Sequence, residues 1–315
     1  MTDHLITKDQ AHGAYRSDVE PALRVRPGSG HTVTFETDDE AYAQMEQRRD
    51  LSLVTATMNP VTGPVWVEGA EPGDTLLVHV HDIALADQGW SLYIPGAGAL
   101  ANRMGDEFFV RRVSVEGGVA RLTDTVSCPV APMIGCVGVA PATGEASSVM
   151  PSRPTGGNLD LTDAAPGSTV HLPVAVEGAM LAIGDLHAVM SRGESSFVAI
   201  EVAGRATVSV DLVKRADRGR ILRAPHVDTG REWVCVGLGD PLQDAVQMAY
   251  EELFDVLTLD HGYSRTDAYV VMSALAHTEL GGPTGSRDPD PMHPLRAVGA
   301  VTLARIARDL LPPRP

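Results

Sequence analysis

Hydrophobic and polar residues alternate along much of this chain, with the period of a β-strand. After Glu71-Pro72-Gly73-Asp74, Leu76, Val78 and Val80 fall on one face and His79 and His81 on the other. Within residues 197–214, Val208, Val210 and Leu212 oppose Thr207, Ser209 and Asp211 in the same way. HTVTFET (31–37) is another candidate strand. The Glu71–Asp74 stretch is a turn signal, because Pro presets φ and Gly tolerates positive φ. The segment GAEPGDTLLVHV from Gly69 is echoed by DAAPGSTVHLPV from Asp163. Either one β module was duplicated, or the two segments share only a good turn before a strand.

Helical spacing comes mostly late. Asp240 reads as an N-cap with Pro241 at the first helical position, followed by Leu242, Ala245, Val246, Ala249, Leu253 and Val256. Ser264 with Asp267 resembles a capping box ahead of Ala268, Val271, Met272 and Leu275, and Gly281-Gly282-Pro283 is expected to stop that helix. One short polar helix is expected after Asp38-Asp39-Glu40. The pattern predicts a mainly β protein with a small α+β C-terminal part: a β-rich body over 1–235, holding one or two β modules, and a segment with a helix pair over 236–315.

Composition narrows the classes. The 315 residues include 43% hydrophobic and 21% charged, as in a globular protein, and only 4% aromatic. With 25 Lys+Arg against 41 Asp+Glu the formal charge is −16, which argues against nucleic acid or anionic lipid as a partner. The first eighteen residues lack a signal peptide's basic start and apolar run, and no stretch of about 18 apolar residues offers a membrane span. Cys128, Cys136 and Cys235 are odd in number and widely spaced, so no disulfide and a cytoplasmic location are expected. Neither a Walker loop nor a G-x-G-x-x-G after a strand occurs, so no nucleotide cofactor is expected.

Candidate chemistry is densest in GGNLDLTD (156–163) and GDLHAVMSRGESSFVAIE (184–201). Asn158 and Asp160 are two apart, as are Asp185 and His187, and i and i+2 share a face in a strand. Glu194 follows a short turn, and Glu201 lies further along. Carboxylates and an imidazole near one point can hold a zinc-like or calcium-like ion, or serve as general base and acid around a water. The competing reading is Asx turns and a surface imidazole. His79, His81 and Asp82 read as solvated strand residues, Cys136 as buried and inert, and His226, Asp228 and His293 as surface loop residues. Ser195-Ser196 do not form a G-x-S-x-G nucleophile elbow.

Taken together, NPVTGPVWVEGAEPGDTLLVHVHDI, APMIGCVGVAP, GGNLDLTDAAPGSTVHLPVAVEGAMLAIGDLHA and FVAIEV resemble the acetamidase/formamidase family, over roughly residues 15 to 300. The resemblance implies a mainly β fold with sandwich and barrel-like parts, hydrolysis of short linear amides to acid and ammonia, a divalent metal ion and a homo-oligomer, with a dimer expected. The family's G-G-N-x-D stands as Gly156, Gly157, Asn158 and Asp160, and its G-D-x-H-A as Gly184, Asp185, His187 and Ala188. Its G-D-G-E has become Ser191, Arg192, Gly193 and Glu194. The implied roles are Glu194, His187 and Asp185 in catalysis, Asn158 and Arg192 in substrate binding, and Asp160, Asp185 and His187 as metal ligands. An arginine in the pocket would lower the pKa of Glu194, weaken metal binding and favour a larger or anionic substrate. A catalytically silent binding homologue is a further alternative.

Overall fold

The computed structural model describes residues 3–282 and 299–312. His293 and Pro283 lie outside the described residues. The protein is mainly β, as the alternation predicts, and almost all its strands join one large sheet whose pairings are antiparallel with two exceptions. The long strand Thr75–Tyr93 organises it, pairing along its length with Thr169–Pro173, Glu201–Val213 and Phe109–Glu116. Leu76, Val78 and Val80 are buried on its inner face beside Phe35, Leu172, Leu181 and Val208. His79 and His81 face outward and bond across the sheet, His79 to Thr169 and Asp211 and His81 to Ser209, so they form no metal pair.

The two echoed segments are neighbours. Thr75 pairs with Pro173 and His79 with Thr169, so the strands run antiparallel about their midpoint. The flanking bonds repeat the relation: Gly73 N–H donates to Val174 O as Gly167 N–H donates to Val80 O, and Val174 N–H to Asp74 O as Val80 N–H to Ser168 O. Such reciprocity is the ordinary pattern of an antiparallel pair, so the echoed segments are sheet neighbours whether they share a module or only a turn.

Several boundaries differ from the sequence reading. The strand predicted from 197 begins at Glu201, because Phe197 is left-handed at φ 66° and cannot join a ladder. The polar helix is Glu40–Arg48, and it buries Ala41, Tyr42 and Met45. The first late helix is Leu242–Asp255, capped at Pro241 rather than Asp240, and it continues into a π-helical turn at Val256–Asp260. Ser264 caps the helix Arg265–Leu275 by accepting from Asp267 N–H, as expected. That helix ends before Gly281, because His277–Leu280 leaves it as a strand that pairs with Ala300–Ala307. The strand Glu232–Gly239 crosses position 235/236 and pairs with Ala300–Ala307, and Leu253, Val256 and Ala268 pack on this ladder against Trp233, Cys235 and Ile306.

His226 corrects the reading of a surface residue. It lies in the strand His226–Asp228 and is fully buried. Trp233 Nε1–H donates to its Nδ1 at 3.2 Å, so Nε2 carries the proton and donates to Glu252 at 2.9 Å. Burial pulls the imidazole down to about 4. Glu252 is lowered to about 2: burial opposes this, and the bonds from His226 and Arg223 outweigh it. Between pH ~6.5 and 4 an unfolded His226 takes a proton that the folded one refuses, so stability falls as the solution is acidified. Glu252 adds to the loss below pH ~4.5, where the unfolded carboxylate is protonated first. His226 by itself is expected to cost about 3 kcal/mol of unfolding free energy between pH 7 and pH 4, read from urea titrations at each pH. His226→Gln should flatten that slope, and an unchanged slope would remove His226 from the explanation.

Candidate active site

Three segments bring five ionisable side chains together. Asp160 follows the short strand Gly156–Asn158, Asp185 and His187 end the strand Leu181–His187, and Glu201 opens Glu201–Val213 opposite His187. Glu194 comes from the loop between the last two strands. His187 Nε2 lies 3.2 Å from Glu201 Oε2, 3.5 Å from Asp185 Oδ1 and 3.9 Å from Asp160 Oδ1. One ligand atom each from Asp160, Asp185 and His187 lies within 4.8 Å of the others, and the same holds for His187, Glu194 and Glu201. All five residues are buried.

The convergence does not arise from the regular pleat that the sequence spacing suggested. Asp160, Asp185 and Glu194 are all left-handed, at φ 45°, 57° and 36°. Non-glycine residues reach that region at a cost of order 1–3 kcal/mol each, and such strain gathers at functional sites. Asp185 kinks its strand, and Gly135 faces it from Met133–Gly138. A Cβ on Gly135 would lie 2.6 Å from Asp160 Oδ1 and 2.7 Å from Asp185 Oδ2, so only glycine lets both carboxylates approach.

The electrostatics follow from burial. Burial and the charge of Asp185 hold Asp160 well above the usual carboxylate range. Glu194 is also well raised, by burial first and then by Asp160 and Glu201. Glu201 is raised by burial despite His187. Burial opposes ionisation of Asp185 as well, but His187 outweighs it and keeps Asp185 low. Burial likewise works against the imidazolium of His187, which Glu201 and Asp185 nevertheless hold well above its ordinary value. Burial and the nearby carboxylates push the Cys136 thiol well up, so it stays protonated; its Sγ donates to Ser148 O and Asn158 Oδ1.

Among the described residues no Lys or Arg forms an ion pair with this cluster. Four buried carboxylates around one imidazole need a counter-charge or shared protons. Among the described residues Asp160 Oδ1 and His187 Nδ1 have no hydrogen-bond partner. Donor set, spacing and unpartnered Asp160 oxygen all fit a divalent cation on Asp160, Asp185 and His187.

Two expectations change. The Arg192 guanidinium does not face the cluster: it forks onto Asp163 at 2.6 and 3.2 Å and reaches Glu279 at 3.1 Å. Arg305 grips the same two acids, at 2.5 and 2.7 Å. The expected lowering of the Glu194 pKa is therefore overturned, because Arg192 spends its charge elsewhere and burial raises Glu194. Arg192 instead ties the Glu194 loop to Asp163, together with the Gly193 N–H to Gly281 O bond of 2.6 Å. Arg192→Asp, which restores the family residue, should set a third carboxylate against Asp163 and Glu279 and cost about 1–3 kcal/mol, read as a shift of the urea midpoint. A neutral or stabilising result would contradict this account of Arg192. Asn158 is also committed internally: its Nδ2 donates to Val149 O at 2.5 Å and its Oδ1 accepts from Cys136. It positions the loop before Asp160.

Residues without an assigned role in the sequence reading complete the site. Glu201 stands in FVAIEV, a segment of the family resemblance, but no i, i+2 pairing in the sequence assigns it a role. Asn59 Nδ2 donates to Asp185 Oδ2 at 3.2 Å, and Tyr42 O–H donates to Asn59 Oδ1 at 2.7 Å. No spacing relates Asn59 or Tyr42 to Asp185, which lies 126 residues beyond Asn59.

A mainly β scaffold that strains three acids into a buried carboxylate–imidazole centre beside a cavity has the form of a hydrolytic enzyme site. Residues 2–144 and 142–281 match the acetamidase/formamidase family, and the chain belongs to it. It is 28% identical to an acetamidase of Mycolicibacterium smegmatis, over 66% of this chain and 68% of that protein. A formamidase of Methylophilus methylotrophus is 26% identical, over 65% and 64% of the two chains. A predicted acetamidase/formamidase from Thermoanaerobacter tengcongensis superposes with a TM-score of 0.86 at 27% identity, covering 98% of this chain and 97% of that one. A gamma lactamase from Delftia acidovorans, at 22% identity and a TM-score of 0.59, shares the fold.

Proposed function

We propose that this protein hydrolyses linear amides by direct attack of water, with Glu194 as general base and then general acid. Membership of the family makes it a hydrolase of C–N bonds other than peptide bonds. The observation that carries the assignment to Glu194 is its double position: it belongs to the buried cluster and also lines a cavity beside it. Burial raises its pKa, which makes the ionised carboxylate a stronger base than an exposed one. Glu194 takes a proton from water as the oxygen attacks the amide carbonyl, and returns it to the departing nitrogen, so water and amide become acid and ammonia. His187 and Asp185 hold the reacting water, and Glu201 and Asn59 orient them. A protonated Cys136 is a poor nucleophile, which supports water over a covalent thioester. A divalent cation bound by Asp160, Asp185 and His187 would polarise the carbonyl and acidify water, and the imidazole favours zinc over calcium.

The test is ammonia release from a panel of amides with and without chelator, beside elemental analysis of the purified protein. Ammonia release and stoichiometric metal lost together on chelation are expected. Release untouched by chelation, from metal-free protein, would remove the cation from the proposal; no ammonia from any amide would overturn the reading in favour of a silent binding homologue. A reducing, cytoplasmic location is a further proposal, supported by free thiols at Cys128, Cys136 and Cys235. No helix among the described residues is long and apolar enough to cross a membrane. A homodimer is likewise proposed, on the family resemblance, and light scattering checks it.

A further inference from the structure

The cavity that Glu194 lines has a volume of about 340 Å³. Its wall is mostly apolar, built by Leu122, Val189, Met190, Val198 and Ile200. Its other polar positions are serines, and no Lys, Arg or His lines it among the described residues. Formamide has no carbon beyond its carbonyl to place there and acetamide has one methyl. Either substrate, with three or four heavy atoms, would leave much of the cavity unfilled. Pockets of a few hundred cubic ångströms with apolar walls and a few polar groups at one end are the usual form of a site that takes a larger organic ligand.

We propose that this cavity is an acyl-chain subsite, and that the preferred substrates are primary amides of neutral aliphatic acids of several carbons. The inference rests on the hydrolytic reading of Glu194 and specifies its substrate class. With the amide head at Glu194, which also belongs to the cluster with His187 and Glu201, the acyl chain has the apolar wall of Met190, Val198 and Ile200 to lie against. An anionic acyl group has no partner there: Arg192, the nearest cation in sequence, is held by Asp163 and Glu279 and does not line the wall. A buried carboxylate facing apolar side chains without a partner is strongly disfavoured. Each methylene moved from water to such a wall gains roughly four-fold in kcat/KM.

The experiment measures kcat/KM of the full-length protein for formamide, acetamide, butyramide, hexanamide and succinamate, by ammonia release. Hexanamide is expected to exceed acetamide by on the order of 10², and succinamate to fall below butyramide. Met190→Trp, which narrows the cavity, should abolish the chain-length gain, read as the ratio of hexanamide to acetamide kcat/KM, so that a general loss of rate does not count as support. Met190→Ala, a milder change, should retain the gain. Rates that fall with chain length, or a gain that survives Met190→Trp, would overturn the subsite while leaving amide hydrolysis standing. No ammonia from any amide, formamide included, would instead overturn the hydrolytic reading and this inference with it.

Discussion

Glu194→Gln is expected to leave the fold intact and to lower kcat for amide hydrolysis by about 10³-fold. The amide keeps the shape of the side chain and can still hydrogen-bond, but it cannot accept and return a proton. Positioned acid–base groups contribute typically 10²–10⁴-fold. Glu194 is placed at the middle of that range rather than at its lower end because two proton transfers pass through it, to the base and then to the leaving nitrogen. Its backbone is held independently of the carboxylate: Glu194 N–H donates to Ser191 O at 3.0 Å, and its carbonyl accepts from Phe197 N–H at 2.9 Å. The strained loop therefore does not depend on the charge that the variant removes. Neutralising a buried carboxylate among like charges relieves repulsion, so thermal stability should hold or rise. A Glu194→Gln protein with more than a tenth of the parent kcat would end the assignment of Glu194 as base. Unchanged KM with reduced kcat would separate lost chemistry from lost binding.

The largest expected effect on stability comes from Glu252, far in sequence from the active-site residues. Its carboxylate is fully buried and accepts from His226 at 2.9 Å, Arg220 at 3.2 Å and Arg223 at 2.5 Å. Arg220 also forks onto Asp260 at 3.1 Å through two nitrogens, so the network pins the π-helical turn to the helix before it. Glu252→Ala removes the acceptor from three donors, two of them cationic. Breaking a buried pair from one side costs about 3–5 kcal/mol, because the partner charge is left without compensation. For a chain of this length that corresponds to a Tm lower by roughly 5–8 °C. Glu251, next in the chain and bonded to the outer nitrogen of Arg223 at 3.3 Å, is exposed. Glu251→Ala should change stability by less than about 1 kcal/mol. Similar losses for the two variants would show that burial of the network is not what stabilises this end of the molecule.

The sequence by itself determined the local structure and the family. Alternation at Leu76, Val78 and Val80 requires one buried face, because period 2 puts every second side chain on the same side. Ser264 and Asp267 mark a helix start because capping is a bond between near neighbours. The echo of Gly69–Val80 in Asp163–Val174 was visible as text, and the two segments are sheet neighbours. The resemblance marked Asp160, Asp185, His187 and Glu194. Only the tertiary structure decided what these residues face. The Asp185–His187 spacing read as a pleat, but a left-handed Asp185 brings the carboxylate in, and room for it depends on a missing Cβ at Gly135 on another strand. Arg192 read as a charge in the pocket; Asp163 and Glu279, from distant segments, hold it outside. His226 read as a surface loop residue, since nothing local reveals that Trp233 and Glu252 enclose it. Spacing reports on neighbours along the chain, whereas pKa, charge compensation and access depend on groups that come together through long-range strand pairing, where desolvation makes each missing or added partner count for several kcal/mol.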